Sequence, residues 1–201
     1  MSKVLFIDNF DSFTYNLVEE FRLLNFDVTV VRNSVDISEL TRIGLEHDLI
    51  VLSPGPGGPS DAGNSLQLLQ ELNGKVPFLG ICLGHQIIAQ FAGAEVSHAP
   101  MPVHGKVAVL KHNGEFCFSN LPREFNVARY HSLIVKELPK DFICLATTNQ
   151  LIMAIYHPTK RLIGFQFHPE SILTTRGALL LKQTVDLLVN SDSSTEQYKT
   201  Q

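Results

Sequence analysis

Four short, largely apolar runs in the first half of the chain constrain its fold more than any other feature: Val4 to Ile7, Val28 to Val31, Leu49 to Leu52 and Pro77 to Cys82. Strands this short and this uniformly apolar must be covered on both faces, as parallel strands inside a sheet are. The segments between them carry a different period. Phe13, Leu17, Val18, Phe21 and Leu24 recur at helical spacing, with a cap expected at Asp11 or Ser12. Ile37 to Ile43 reads as a short, weak helix, and Leu66, Leu69 and Leu72 mark another. Gly84 to Phe91 forms a further one, with Ile87, Ile88 and Phe91 inward. This alternation predicts a doubly wound α/β fold, a mostly parallel central sheet with helices on both faces.

From Val103 onward the pattern changes. Val107 and Val109, Phe116 to Phe118, Val127, Phe142 to Thr147, Ile152 to Tyr156 and Leu162 to Phe167 read as strands with few helices between them. They predict a small antiparallel extension within the same domain. Leu173 to Val189 restores a helical pattern, with Leu179, Leu180, Val185 and Leu188 spaced to dock on the sheet. The length fits one domain over residues 1–190, followed by a polar tail, 191–201, expected to fray.

Charge narrows the partners. Sixteen basic against twenty acidic residues, without a dense Lys/Arg cluster, argue against nucleic acid and anionic membrane surfaces. No apolar run approaches the roughly eighteen residues of a membrane span. Three cysteines, Cys82, Cys117 and Cys144, fit neither a disulfide framework nor a zinc knuckle and imply a reducing compartment. Met-Ser-Lys leads directly into a strand rather than a secretory leader, so the expected location is cytoplasmic.

Three segments carry chemistry. Gly80-Ile81-Cys82-Leu83-Gly84 lies where a strand meets a helix, and its small residues permit the sharp turn of a nucleophile elbow. The helix start would favour a thiolate there. Taken alone, the motif reads equally well as a buried cysteine between packing glycines. In Gln166-Phe167-His168-Pro169-Glu170 an extended backbone would put His168 and Glu170 on one side, as a base with its orienting carboxylate. Taken alone, a surface His and Glu at a strand end is the plainer reading. Ser53-Pro54-Gly55-Pro56-Gly57 belongs to a Pro/Gly run that reads as loop throughout. It lets bare backbone approach a substrate, with the N–H groups of Gly55 and Leu83 as an oxyanion hole. Its two prolines remove donors, and no phosphate-loop lysine follows. His85 reads as structural. His98, His104, His112, His131 and His157 lack metal-ligand spacing, so neither a metal nor a cofactor is expected. Asp8-Asn9-Phe10-Asp11 either lines the crevice or caps the first helix, and the cap is favoured.

With these segments in view, the chain resembles the triad (class I) glutamine amidotransferases over nearly its whole length. The resemblance rests on Ser53-Pro54-Gly55-Pro56-Gly57, Gly80-Ile81-Cys82-Leu83-Gly84-His85-Gln86 and Gly164 through Ser171. Asp8 through Thr14, His104-Gly105-Lys106, Arg129-Tyr130-His131-Ser132-Leu133 and His168 through Thr174 narrow it to the glutaminase components of anthranilate and aminodeoxychorismate synthases. The resemblance implies a flavodoxin-like core, Cys82 as nucleophile, His168 as base and acid, and Glu170 as orienting carboxylate. Gly55 and Leu83 would hold the oxyanion, and Gly57, Gln86, Ser132 and Leu133 the glutamine head group. Asn25, where the family often has glycine, and the long polar tail depart from the pattern without touching these positions. The implied partner is a chorismate-using synthase subunit, in tryptophan or folate biosynthesis, that docks and raises glutaminase activity. Two rivals remain: a thiol esterase or peptidase of related architecture, and a non-catalytic flavodoxin-like binding module. Against the first, the acid of such hydrolases precedes the histidine in the chain, whereas Glu170 follows His168.

Overall fold

A computed structural model describes residues 2–99 and 105–190, so His104 and the tail expected at 191–201 fall outside the described residues. The four apolar runs are β1 (Lys3–Asp8), β2 (Asp27–Arg32), β3 (Leu49–Leu52) and β4 (Phe78–Ile81). They are followed respectively by α1 (Thr14–Leu23), α2 (Ile37–Gly44), α3 (Ser65–Leu72) and α4 (Leu83–Phe91). Beyond α4 come β5 (Val96–His98), β6 (Lys106–His112), β7 (Glu124–Arg129), β8 (Leu133–Val135), β9 (Ile143–Thr148), β10 (Leu151–His157), β11 (Leu162–Phe165) and α5 (Gly177–Asn190).

Nine strands form one sheet in the order β2-β1-β3-β4-β11-β10-β9-β6-β7. The first five are parallel and the remainder join antiparallel, giving the mixed sheet expected from the two halves of the sequence. Alternation along β1 explains how both faces close. Val4 and Phe6 pack with Leu17, Phe21, Leu180 and Val185 of α1 and α5. Leu5 and Ile7 pack with Leu40, Leu69 and Ile88 from α2, α3 and α4 on the other face. Each fully buried aliphatic or Phe side chain contributes about 1.5–3 kcal/mol, which is why the fully buried stretches of β1, β3 and β4 are apolar, whereas the edge strand β2, only half-buried, carries Asp27, Thr29 and Arg32.

Several local expectations differ. Phe116–Phe118 is a 3-10 turn, not a strand. Cys117 and Phe118 are buried as a plug, with Phe118 stacked on His112 at 4.8 Å, so its apolar content serves packing rather than a ladder. Pro59–Asp61, at the end of the Pro/Gly run, is likewise a 3-10 turn. The last helix begins at Gly177 rather than Leu173, because Thr174 is committed to a turn, its hydroxyl donating to the carbonyl of His168 at 2.6 Å. Leu179 faces solvent, while Leu180, Leu181, Val185 and Leu188 dock. The helix α1 has Phe13 at its cap position and no side-chain cap. Asp11 instead accepts the Phe13 N–H at 2.7 Å, and Asp8 accepts from the Thr14 hydroxyl at 3.0 Å. The short β5 and β8 pair with each other as a separate two-stranded sheet that the pattern did not reveal.

Candidate active site

The neighbouring strands β3, β4 and β11 end side by side, and each delivers one of the three chemical segments at its carboxyl end. Between β4 and α4 the chain turns at Cys82, which takes φ 53° and ψ −98°. A non-glycine residue held there stores strain of about 1–3 kcal/mol, which surrounding structure must impose. The surroundings are tight. A side chain at Gly80 would collide with Gly84 backbone, and one at Gly84 with the Leu52 carbonyl, so α4 starts directly on the sheet. Cys82 is the N-cap residue of α4. Burial pushes the Cys117 thiol up to about 12 and raises that of Cys144, which leaves both as poor nucleophiles.

His168 and Glu170 meet, though not through the extended segment expected. The strand ends at Phe165 and the Ser171 N–H bonds back to the His168 carbonyl at 3.3 Å, so a turn brings the pair together. Nδ1 of His168 lies 2.7 Å from Oε1 of Glu170, with both side chains buried. Burial opposes a charge on the ring, but the adjoining Cys82 side chain and then the Glu170 carboxylate outweigh it and hold the His168 pKa above the ordinary value. Nε2 itself has no partner of ordinary hydrogen-bond geometry among the described residues. The Cys82 side chain thus stands beside the ring without an aligned hydrogen bond to it. Phe13 and Tyr130 flank the imidazole edge-on at 5.6 and 5.1 Å. The His168 N–H donates to Ala128 at 3.2 Å, fixing its backbone.

The remaining residues singled out in the sequence sit around this centre. Leu83 and Gln86 are buried on the first turn of α4. A side chain at Gly55 would meet Leu83 Cδ2 at 2.7 Å, so the two segments touch. Neither Gly55 nor Leu83 N–H has a protein acceptor among the described residues. Gly57 adopts φ 73°, a left-handed turn that suits glycine, and the neighbouring Gly58 faces the Leu133 side chain. Gln86 Nε2 donates to the Leu133 carbonyl at 3.2 Å. Ser132 is exposed, its carbonyl accepting from the Ala99 N–H at 2.7 Å.

Some participants escaped the sequence reading. Gln166 is fully buried; its Oε1 accepts from Gln86 at 3.2 Å and its Nε2 lies 3.8 Å from the Cys82 sulfur. Its position two residues before His168 was the available signal. His131, buried, accepts from Arg129 Nε on Nε2 at 3.1 Å, so its proton sits on Nδ1 and goes to the Leu133 carbonyl at 2.9 Å. Burial, outweighing that bond, lowers its pKa to about 4. Asn9 braces the Ser53 segment rather than a helix end. A groove of about 460 Å³ passes Glu20, Glu170, Ile172 and Arg176 behind the carboxylate; Cys82 does not line it, and the chemistry points to the Cys82 side instead. Among the described residues no cluster of three or more His, Cys, Asp or Glu has the arrangement to hold a metal ion. No described helix is long and apolar enough to cross a membrane.

A thiol at a strained strand-to-helix turn beside a buried imidazole–carboxylate pair has the chemical parts that cysteine-based amide hydrolysis needs. The chain belongs to the class-I glutamine amidotransferase family, which matches residues 5–187. Among curated relatives, the anthranilate synthase component 2 of Haemophilus influenzae is 48% identical, covering 94% of this chain and 100% of that protein. The pyocyanine-specific anthranilate synthase component 2 of Pseudomonas aeruginosa is 47% identical, covering 91% and 92%. Among solved structures, a Thermoplasma acidophilum protein described as part of a GMP synthase superposes with a TM-score of 0.80 at 30% identity, covering 94% and 95%.

Proposed function

We propose that this chain is the glutaminase subunit of a chorismate-using synthase, hydrolysing L-glutamine to glutamate and ammonia through Cys82, His168 and Glu170. The observation that carries the reading is the juxtaposition of the strained Cys82 turn with the buried His168–Glu170 pair. In the mechanism, the Cys82 thiolate attacks the side-chain amide carbon of glutamine. The resulting oxyanion lies between the N–H groups of Gly55 and Leu83, and His168 protonates the departing ammonia. Glu170 stabilises the imidazolium formed on the way. Water deprotonated by His168 then opens the glutamyl thioester, releasing glutamate and restoring the thiol. Gly57, Gln86, Ser132 and Leu133 are assigned to the glutamine head group, which the Gln86–Leu133 contact supports.

The acceptor of the ammonia is the partner's chorismate. The relatives named anthranilate synthase component 2 support anthranilate, on the route to tryptophan, as the product. A Cys82→Ala variant is expected to lose glutamine-dependent synthesis entirely while the paired synthase still makes its amine from ammonium salts. Glutamine-dependent turnover in that variant sinks the mechanism. Identifying the amine made with each candidate synthase tests the partner, and aminodeoxychorismate instead of anthranilate would move the chain to folate biosynthesis.

A further inference from the structure

We propose that Ser53, clasped by Asn9, is a positioning residue that aims the Gly55 N–H at the oxyanion; the proposal rests on Cys82 being the nucleophile. Ser53 is fully buried just beyond β3. Its hydroxyl accepts from the Asn9 N–H at 2.9 Å and donates to the Pro54 carbonyl at 2.7 Å. The direction is forced. A backbone N–H only donates and a carbonyl only accepts, so the single hydroxyl proton goes to Pro54. The carbonyl of Ser53 is held in turn by Asn9 Nδ2 at 2.8 Å, which also fixes which way that amide faces. Asn9 Oδ1 then accepts from Asn33 Nδ2 at 2.9 Å and from the Ser65 hydroxyl at 2.7 Å. Segments ending β1, β2 and β3 and beginning α3 are thereby locked to one another through buried polar groups.

The consequence falls on one peptide plane. No peptide bond among the described residues is cis, so the Gly55 N–H points opposite to the Pro54 carbonyl. Holding the carbonyl sets the direction of the N–H. Translation is blocked as well, because a Cβ on Gly55 would already lie 2.7 Å from Asn9 Cβ, from the Asn9 carbonyl oxygen and from Leu83 Cδ2. The N–H so fixed, like that of Leu83, has no acceptor among the described residues.

The discriminating chemistry is a reaction of the same sulfur that forms no oxyanion. Iodoacetamide alkylates a thiolate by displacement: a sulfur–carbon bond forms, the carbon–iodine bond breaks and iodide leaves. In the full chain assayed with its synthase partner, Ser53→Ala is expected to lower glutaminase kcat about ten- to a hundred-fold, short of the loss from deleting a donor outright. KM should stay within about threefold, and iodoacetamide should label Cys82 at the wild-type rate, because ground-state binding and displacement need no oxyanion donor. Asn9→Ala should give the same split more weakly. Turnover within about twofold of wild type in Ser53→Ala overturns the proposal. So does a parallel loss of turnover and alkylation in both variants, which makes the pair scaffold only, as does failure of both to fold. Cys82→Ala serves as the separate control: glutaminase activity surviving there defeats the nucleophile assignment itself, whatever Ser53 does.

Discussion

Replacing His85 with leucine is expected to flatten the acid side of the stability profile. His85 sits on the first turn of α4, fully buried, and neither ring nitrogen has a hydrogen-bond partner among the described residues. Burial drives its pKa down to about 3 from 6.5; the Gly164 backbone nearby offsets this slightly without forming a bond of ordinary geometry, and His131 adds to the lowering. The unfolded chain therefore takes up a proton near pH 6.5 that the folded chain refuses. The stability owed to a neutral His85 is complete above that value and is lost as the pH falls toward the folded value. Each unit is worth about 1.36 kcal/mol, so between roughly pH 6.5 and pH 5 the wild type loses about 2 kcal/mol from this residue. That figure needs only a folded value well below 5. Leucine has nothing to protonate, and it removes two unsatisfied polar atoms from the core. Urea unfolding of both proteins at about pH 7.5 and pH 5 is expected to show the variant gaining about 2 kcal/mol on the wild type at the lower pH. Parallel profiles would refute the account of His85 as an unpaired neutral ring.

Gly55→Ala forces a methyl group against the Asn9 carbonyl, which belongs to the backbone and cannot swing aside. The displaced turn is expected to cost about 1–3 kcal/mol in denaturant unfolding and roughly a hundred-fold in glutaminase kcat, and wild-type turnover would count against the assigned donor. Glu170→Gln keeps the shape but removes the charge facing His168. We expect glutaminase kcat to fall about 10²- to 10⁴-fold. The raised His168 pKa makes the wild type lose stability as pH rises from the ordinary histidine value through the raised one. That alkaline loss should be shallower in Glu170→Gln, and an unchanged profile would dissociate the carboxylate from the ring.

The parallel half of the fold was legible because β1, β3 and β4 are buried on both faces and so carry almost no polar residues. The second half was harder. Phe116–Phe118 has the composition of a strand but plugs a corner beneath α5, and composition alone does not separate a ladder from a plug. Leu173 precedes α5 because the Thr174 hydroxyl serves the His168 carbonyl, a contact between residues six apart that periodicity does not register. Cys82, His168 and Glu170 stood out because each lies in a motif with its own chemical logic. Gln166, Asn9 and Ser53 lie in the recognised motifs as well but drew no role of their own, since their work is done through partners as far as 84 residues away.

The placement of β11 between β4 and β10 bears on how the molecule is made. A ribosome-bound chain that has emerged through β4 holds the thiol at the open margin of a half-built sheet, with the imidazole and carboxylate still some eighty residues from synthesis. On the proposed mechanism, the sulfur gains its base only once β11 slots between β4 and β10. On that mechanism a nascent or truncated chain is expected to be inert toward glutamine, so that ammonia release waits for the finished protein.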